Sequence, residues 1–363
     1  MVDNHIKMIC SKILIIRFIW MWFILPKFVL ADVHVDEWDY DHHHTSPELW
    51  NGTCKTGRKQ SPIDINPALT IKRRWGQPFV FNGYDQTISV LVKNNRHTLV
   101  VTPSNNDLNK DKVTVYGGGL GESKFQFAQA HFHWGSTNDQ GSEHTLHNTY
   151  APMEMHLVHW NLDVGSSLES AARKDVYNAL EVLGVHFKIG KKNFEFESLF
   201  NAFEKVSVGN TNVTIEKDII LKDLLPENKF EYYRYQGSLT TPPCNEIVIW
   251  TIFKQPIEVS QKQIDIIRKA YYRVEGEKGH RDISNNYRAP QPLNGREVEE
   301  ISTSIQFRSP ILNTINARGS NGNQEQKCKL DIPQSIGVAW KSNMMKMSVP
   351  FIVLFARYYI MAP

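Results

Sequence analysis

The chain has 363 residues, 41% hydrophobic and 22% charged, an ordinary globular composition with length for one large domain or two small ones. Its formal net charge of +3 sits wholly in the first 31 residues, where Lys7, Lys12, Arg17 and Lys27 outnumber Asp3, and the remainder is formally neutral. That distribution excludes the basic stripe a phosphate backbone demands, so no nucleic-acid partner is expected.

Residues 1–31 read as a secretory signal. Lys7 and Lys12 precede an apolar stretch that is best from Phe18 to Leu25, and "VLA" ends at Ala31. A membrane anchor is the other reading, but Arg17 and Pro26 leave the apolar run too short to span comfortably. Secretion changes how the four cysteines read. Cys10 leaves with the signal, Cys54 and Cys244 lie where an oxidising compartment permits a bridge, and Cys328 is then odd. We expect a Cys54–Cys244 disulfide. Two sequons, at Asn51 and Asn212, suit the same compartment as glycosylation sites. The "DHHH" run, Asp41 to His44, reads as a solvated segment rather than a second metal site.

From about Trp38 to Ile305 the texture is uniform, and residues 32–305 are expected to form a single domain. Short apolar or alternating runs recur, among them "TISVLVK", "HTLVVTP", "FQFAQAHFHW", "MEMHLVHW", "GVHFKIG" and "EIVIWTIF". Turn residues separate most of them, which predicts a strand-rich domain. Two stretches, Ser167–Leu183 and Ser260–Tyr272, carry helical spacing, the second with a serine in capping position. "YGGGLGESK", Tyr116 to Lys124, lacks the glycine before a Lys-Ser/Thr pair and reads as a glycine turn, not a phosphate loop.

Residues 306–363 change character: "ARGSNGNQEQKCK" is linker-like, and "SVPFIVLFARYYIMAP" is an apolar tail broken by Arg357. The tail reads as the signal for a glycolipid (GPI) anchor, with small attachment residues between Ser335 and Ser342 and the apolar run from Val349. A short membrane span and a loose tail on a secreted chain are the second and third readings. The expected location is secreted or on the extracellular face of the plasma membrane.

The chemistry begins at "AHFHWGS". In a strand, side chains alternate faces, so His131 and His133 share one face while Phe132 and Trp134 share the other. Two adjacent imidazoles are costly to desolvate unless something uses them, and a metal is the obvious user. "MEMHLVHW" offers the third ligand. As a strand it puts Glu154, His156 and Val158 on one face, with Glu154 placed to accept the other N–H of a ligand imidazole. Three protein ligands leave tetrahedral zinc one open position, the mark of a catalytic site. A helical zinc hydrolase would show H-E-x-x-H, and no such run exists.

The runs "AHFHWGS", "GSEHTLHNTY", "MEMHLVHWN", "VLGVHFKIG", "GSLTTPPCNEIVIW" and "NNYRAPQPLNGR" together resemble the alpha-class carbonic anhydrases, in order and at family-like spacing. "QSPIDI" and the Trp38–Tyr40 stretch extend the resemblance over roughly residues 36 to 303. It implies a mainly β single domain, built on a large twisted, mostly antiparallel central sheet with a few short peripheral helices. It implies reversible hydration of carbon dioxide to bicarbonate by zinc-bound hydroxide, with Zn2+ held by His131, His133 and His156. Gln129, Glu154 and His144 would support the ligands. Thr240 would accept from the hydroxide and pass its own proton's bond to Glu143, and Thr241 would line the substrate side. Val158, Val182, Leu239, Val248 and Trp250 would wall an apolar CO2 pocket. His97 would shuttle protons, with Tyr40, Asn95 and Val100 around the water path. Val100 departs from a usual Asn or Gln, and Thr98 from a small alanine or serine. The alternative is an inactive carbonic-anhydrase-like binding or adhesion module, which would typically have lost a ligand histidine. None is lost here.

Overall fold

A computed structural model describes residues 38–303, except 41–44, 75–76, 106, 108–111 and 273–278. The expected signal, the "DHHH" run, Cys10, Cys328 and the tail lie outside the described residues.

The alternating runs fold as strands. They build one 13-stranded sheet whose main path runs, edge to edge, Asn212–Ile220, Thr87–Asn94, Leu99–Pro103, Phe125–Trp134, Met153–Asn161, Leu180–Ile189, Val248–Phe253, Glu231–Gly237, Glu299–Ser302 and Ile71–Arg73. Neighbours are antiparallel, except that Leu180–Ile189 runs parallel to Val248–Phe253 and to Ile257–Val259, and Glu299–Ser302 runs parallel to Ile71–Arg73. The fold is mainly β, with a mostly antiparallel central sheet and a few short helices.

The sheet separates two apolar clusters. Phe127, Phe132, Trp134, Met155, Leu157, Leu183 and Val185 belong to the larger. Val158, Val182, Val248 and Trp250 belong to the smaller, with Leu239 packed on its side. Alternation along Phe125–Trp134 is broken once, by a register shift between Phe127 and Gln129. Phe125 and Phe127 enter the large core before the shift, and Ala130, Phe132 and Trp134 enter it afterwards. The shift changes which parity faces inward, so Gln129, His131 and His133 stand together on the opposite face.

Both expected helices are shorter than their periodicity suggests. Ser167 caps only Leu168–Ala172, its side chain accepting from the Ser170 amide at 3.2 Å. Leu180 to Leu183, read as the end of that helix, belong to the strand Leu180–Ile189. Asp175 takes a positive φ of 50°, which breaks the helical path, and the apolar run beyond it is buried between strands on both sides. The second helix is Gln261–Ile267, held by a capping box between Ser260 and Gln263. Tyr271–Tyr272 instead pairs as a strand with Arg281–Asp282. An unforeseen helix, Glu197–Lys205, buries Leu199, Phe200, Ala202 and Phe203. In the glycine turn, Gly117, Gly118, Gly119 and Gly121 all have positive φ, a conformation that suits residues without a Cβ.

Candidate functional site

Strand register assembles the histidines. His131 pairs directly with His156, and His133 with Glu154, across antiparallel neighbours. On the other side His156 faces Gly184. A Cβ on Gly184 would meet Ile252 Cδ1 at 2.5 Å and Glu154 Oε1 at 3.2 Å, so the glycine leaves room for that carboxylate.

Two of the three rings, His133 and His156, have a proton fixed by a partner behind them. His133 Nδ1 donates to the Asn286 carbonyl at 2.7 Å. His156 Nε2 donates to Glu154 Oε1 at 2.7 Å. The remaining nitrogens, His133 Nε2 and His156 Nδ1, therefore carry lone pairs, yet they lie 3.1 Å apart. His156 Nδ1 is 3.3 Å from His131 Nε2. Glu143 Oε2 stands 3.5 Å from His133 Nε2. Acceptors converging in a buried place repel one another unless a cation lies among them. The spacing fits one: ligand nitrogens at about 2.0 Å from a tetrahedral metal are separated by about 3.3 Å. The donor atoms of all three histidines lie within 4.8 Å of one another, so the set can hold a metal. Burial, reinforced by the other histidines, holds the His131 imidazole well below the usual range and His133 down to about 3. Both rings are thus neutral and ligand-competent at neutral pH.

Glu154 organises the floor. Oε1 accepts from His156 and from His144 Nδ1, at 2.7 Å each, and Oε2 accepts the amides of Glu143 and His144 at 2.9 and 2.8 Å. His186 Nε2 adds a third imidazole at 3.4 Å. Burial opposes ionisation, but the three histidines His144, His156 and His186 hold the carboxyl well below its usual value. His144 Nε2 meets the Tyr235 hydroxyl at 2.7 Å, and that hydroxyl donates to Ser61 Oγ at 2.9 Å. Gln129 shares the His131 face, and its Oε1 is buried without a hydrogen-bond partner among the described residues.

The wall is apolar on one side. Val182 pairs with Val158 on one neighbour and with Trp250 on the other, and Val248 and Leu239 complete the cluster. The Trp250 ring lies 4.7 Å from His156. The loop bearing Thr240 and Thr241 is tied down by Trp250 Nε1, which donates to Ser238 O at 3.0 Å, and by the Cys54–Cys244 disulfide just beyond it. Thr240 is buried and Thr241 half-buried. Burial pushes the Glu143 carboxyl well above its usual range, opposed by hydrogen bonds from the Thr240 side chain and from the Arg288 amide.

The expected water-path residues fall in two places. Asn95, Val100 and Gln129 line a cavity of about 470 Å³. His97 and Tyr40 instead line a small one with Arg96 and Tyr272. Thr98 takes no part in the first: its hydroxyl donates to Phe132 O and accepts from Phe132 N, tying the loop to the strand Phe125–Trp134. Asn51 and Asn212 are both exposed.

Three participants escaped sequence reasoning. Asn286 gives His133 its acceptor, binds the Trp134 amide through Oδ1 and holds the His97 carbonyl through Nδ2. Its signal lay in "NNYRAPQPLNGR", but its partner is 153 residues away. His186 and Tyr235 complete the network around Glu154 from distant strands.

The sequence model of the eukaryotic-type carbonic anhydrases matches residues 44–302. The chain is 37% identical to carbonic anhydrase 4 of Rattus norvegicus over 284 residues, covering 75% of this chain and 85% of that protein. It is 35% identical to a putative carbonic anhydrase 3 of Caenorhabditis elegans over 73% of this chain and 97% of that one. Mitochondrial carbonic anhydrase 5B of Mus musculus is 35% identical over 69% and 77% of the two chains. The chain belongs to the eukaryotic-type carbonic anhydrases, a family of enzymes.

Proposed function

We propose that the chain catalyses reversible hydration of carbon dioxide to bicarbonate and a proton, with zinc held by His131, His133 and His156. The observation that carries this reading is the convergence of three imidazole nitrogens, His133 Nε2 at 3.1 Å and His131 Nε2 at 3.3 Å from His156 Nδ1, beside an apolar wall and a Thr240–Glu143 pair. Zinc in a three-histidine site supplies the Lewis acidity that lets water ionise near neutrality, a chemistry established in carbonic anhydrases themselves.

The chain's own residues do the rest. Glu154 and the Asn286 carbonyl fix the ligand tautomers. Thr240 gives its hydroxyl proton to Glu143, so its oxygen can only accept. A partner beside it must therefore bring a proton of its own, which selects and orients a hydroxyl for attack. The Thr240 amide meets the oxygen on which charge develops in this reading, and Thr241 lines the substrate side. Val158, Val182, Leu239, Val248 and Trp250 offer a small, weakly polar molecule an apolar seat. His97 relays the released proton to buffer.

Residues 1–31 act as signal and 32–305 as the catalytic domain, and the tail over 306–363 serves membrane anchoring at the extracellular face. Among the described residues no helix is long and apolar enough to cross a membrane. Glycans on Asn51 and Asn212 belong to the same reading. The deciding experiment is CO2 hydration by the purified chain before and after a zinc chelator. Activity that falls on chelation and returns with zinc supports the reading. A zinc-loaded chain without hydration activity would favour a binding module.

A further inference from the structure

His97 is held from behind by residues that have no part in the chemistry proposed above. Its imidazole stacks on the Trp38 indole, with ring centroids 4.0 Å apart and planes 16° from parallel. Trp38 in turn meets Tyr40 and Trp50 edge-on, both at 5.5 Å, and this aromatic group packs on the Cys54–Cys244 disulfide.

The residue after Trp38 is tied in three ways. The Asp39 amide donates to Thr45 O at 2.9 Å, its Oδ1 accepts the Tyr40 amide at 2.7 Å, and its Oδ2 accepts the Tyr272 hydroxyl at 2.7 Å. The Tyr272 ring lies under the Arg96 guanidinium, 5.1 Å from its centre. Arg96 directly precedes His97 and has a φ of 79°, a left-handed conformation that disfavours any residue with a Cβ. Its amide donates to Asn94 Oδ1 at 3.0 Å, which helps to hold that turn. The contacts thus form a closed ring: Arg96 to Tyr272, Tyr272 to Asp39, Asp39 to Trp38, and Trp38 back to His97. Asp39, Tyr40, Arg96, His97 and Tyr272 also line one small cavity.

We propose that Asp39, Tyr272 and Arg96 form a clasp that positions His97 for proton relay. The inference rests on the reading of His97 as the relay. Imidazole orientation matters to a relay because the ring must face solvent within the molecule and buffer outside it. The stack on Trp38 sets that orientation, and Trp38 is fixed in turn by the Asp39–Tyr272 bond. Arg96 links the same tyrosine to the backbone from which His97 projects. These three are positioning residues, set behind His97 around the small cavity they line with it.

Tyr272→Phe is the cleanest test, since it removes the hydroxyl and leaves the ring beneath Arg96. CO2 hydration kcat at low buffer should fall roughly twofold or more, the lower end of couplings between residues in contact. At the same time kcat/KM and zinc content should hold, and added imidazole buffer should restore part of the rate. In a His97→Ala background the same change should cost nothing further. Asp39→Asn, which keeps an acceptor for the tyrosine, should behave as the parent, whereas Asp39→Ala should reproduce Tyr272→Phe. That pair also decides the matter should Tyr272→Phe fold poorly. If Tyr272→Phe and Asp39→Ala match the parent at low buffer while His97→Ala is impaired, the clasp is wrong and the relay stands. A loss that persists undiminished in the His97→Ala background also overturns the clasp. If His97→Ala matches the parent at every buffer concentration, the relay reading fails and takes the clasp with it.

Discussion

Glu154 shows how one buried carboxylate can serve several masters. It accepts two imidazole N–H groups on one oxygen and two backbone amides on the other, with His186 near by. Glu154→Gln keeps the shape but puts an amide where an acceptor is needed. Zinc affinity should fall by about 10- to 100-fold with the fold intact, as measured by competition with a chromophoric chelator. Glu181 is the contrasting case, a buried carboxylate with no part in the proposed chemistry. Its Oε1 accepts from Thr251 Oγ1 at 2.6 Å and lies 3.8 Å from Arg234. Burial pushes its carboxyl up to about 7, against the Arg234 charge and the Thr251 bond. A raised carboxyl means that the folded state binds the extra proton. Stability from this group is therefore full below the unfolded pKa and is lost as pH rises through about 7. Glu181→Gln should flatten the decline in denaturation midpoint between roughly pH 5 and 8 relative to the parent; parallel profiles would refute the assignment. At this scale the shared faces of His131 with His133 and of Glu154 with His156 were legible because period two fixes faces within a strand. Asn286 was not, since nothing local announces a carbonyl that will meet His133 from 153 residues away.

The strand Phe125–Trp134 carries its own irregularity in plain view. Apolar positions run Phe125, Phe127 and then Ala130, Phe132, Trp134, and that change of parity matches the register shift between Phe127 and Gln129. The stretch after Ser167 misled for the opposite reason. Leu168, Ala171, Ala172, Val176 and Leu180 fit helical spacing, but Leu180 to Leu183 are claimed by two flanking strands. Tertiary pairing overrode local periodicity. The same strand supplies an element-level prediction. Gly184→Ala would place a methyl 2.5 Å from Ile252 Cδ1 and 3.2 Å from Glu154 Oε1. Overpacking of this kind typically costs about 1–3 kcal/mol. Denaturant titration should show that loss, together with weaker zinc retention if Glu154 gives way instead of Ile252.

Across the whole molecule, the site depends on segments brought together from far apart. The Cys54–Cys244 disulfide joins residues separated by 190 positions and anchors both the aromatic cluster and the loop after Thr241. Closing so long a loop contributes on the order of 4–5 kcal/mol in the chain-entropy model, with smaller values common in practice. Reduction should therefore lower the thermal midpoint well before it removes zinc, and peptide mapping without reductant should recover the two cysteines as one linked pair. Strand order was not legible from individual runs, because pairing between distant segments leaves no local trace. The resemblance of whole motifs implied the fold class, a large and mostly antiparallel central sheet, but not the order of its strands. The central claim is that three histidines from two neighbouring strands hold one zinc ion, and zinc analysis of the purified chain beside its His131→Ala variant tests it most directly. The account predicts about one zinc in the parent and large metal loss in the variant; full occupancy with full activity in His131→Ala would contradict it.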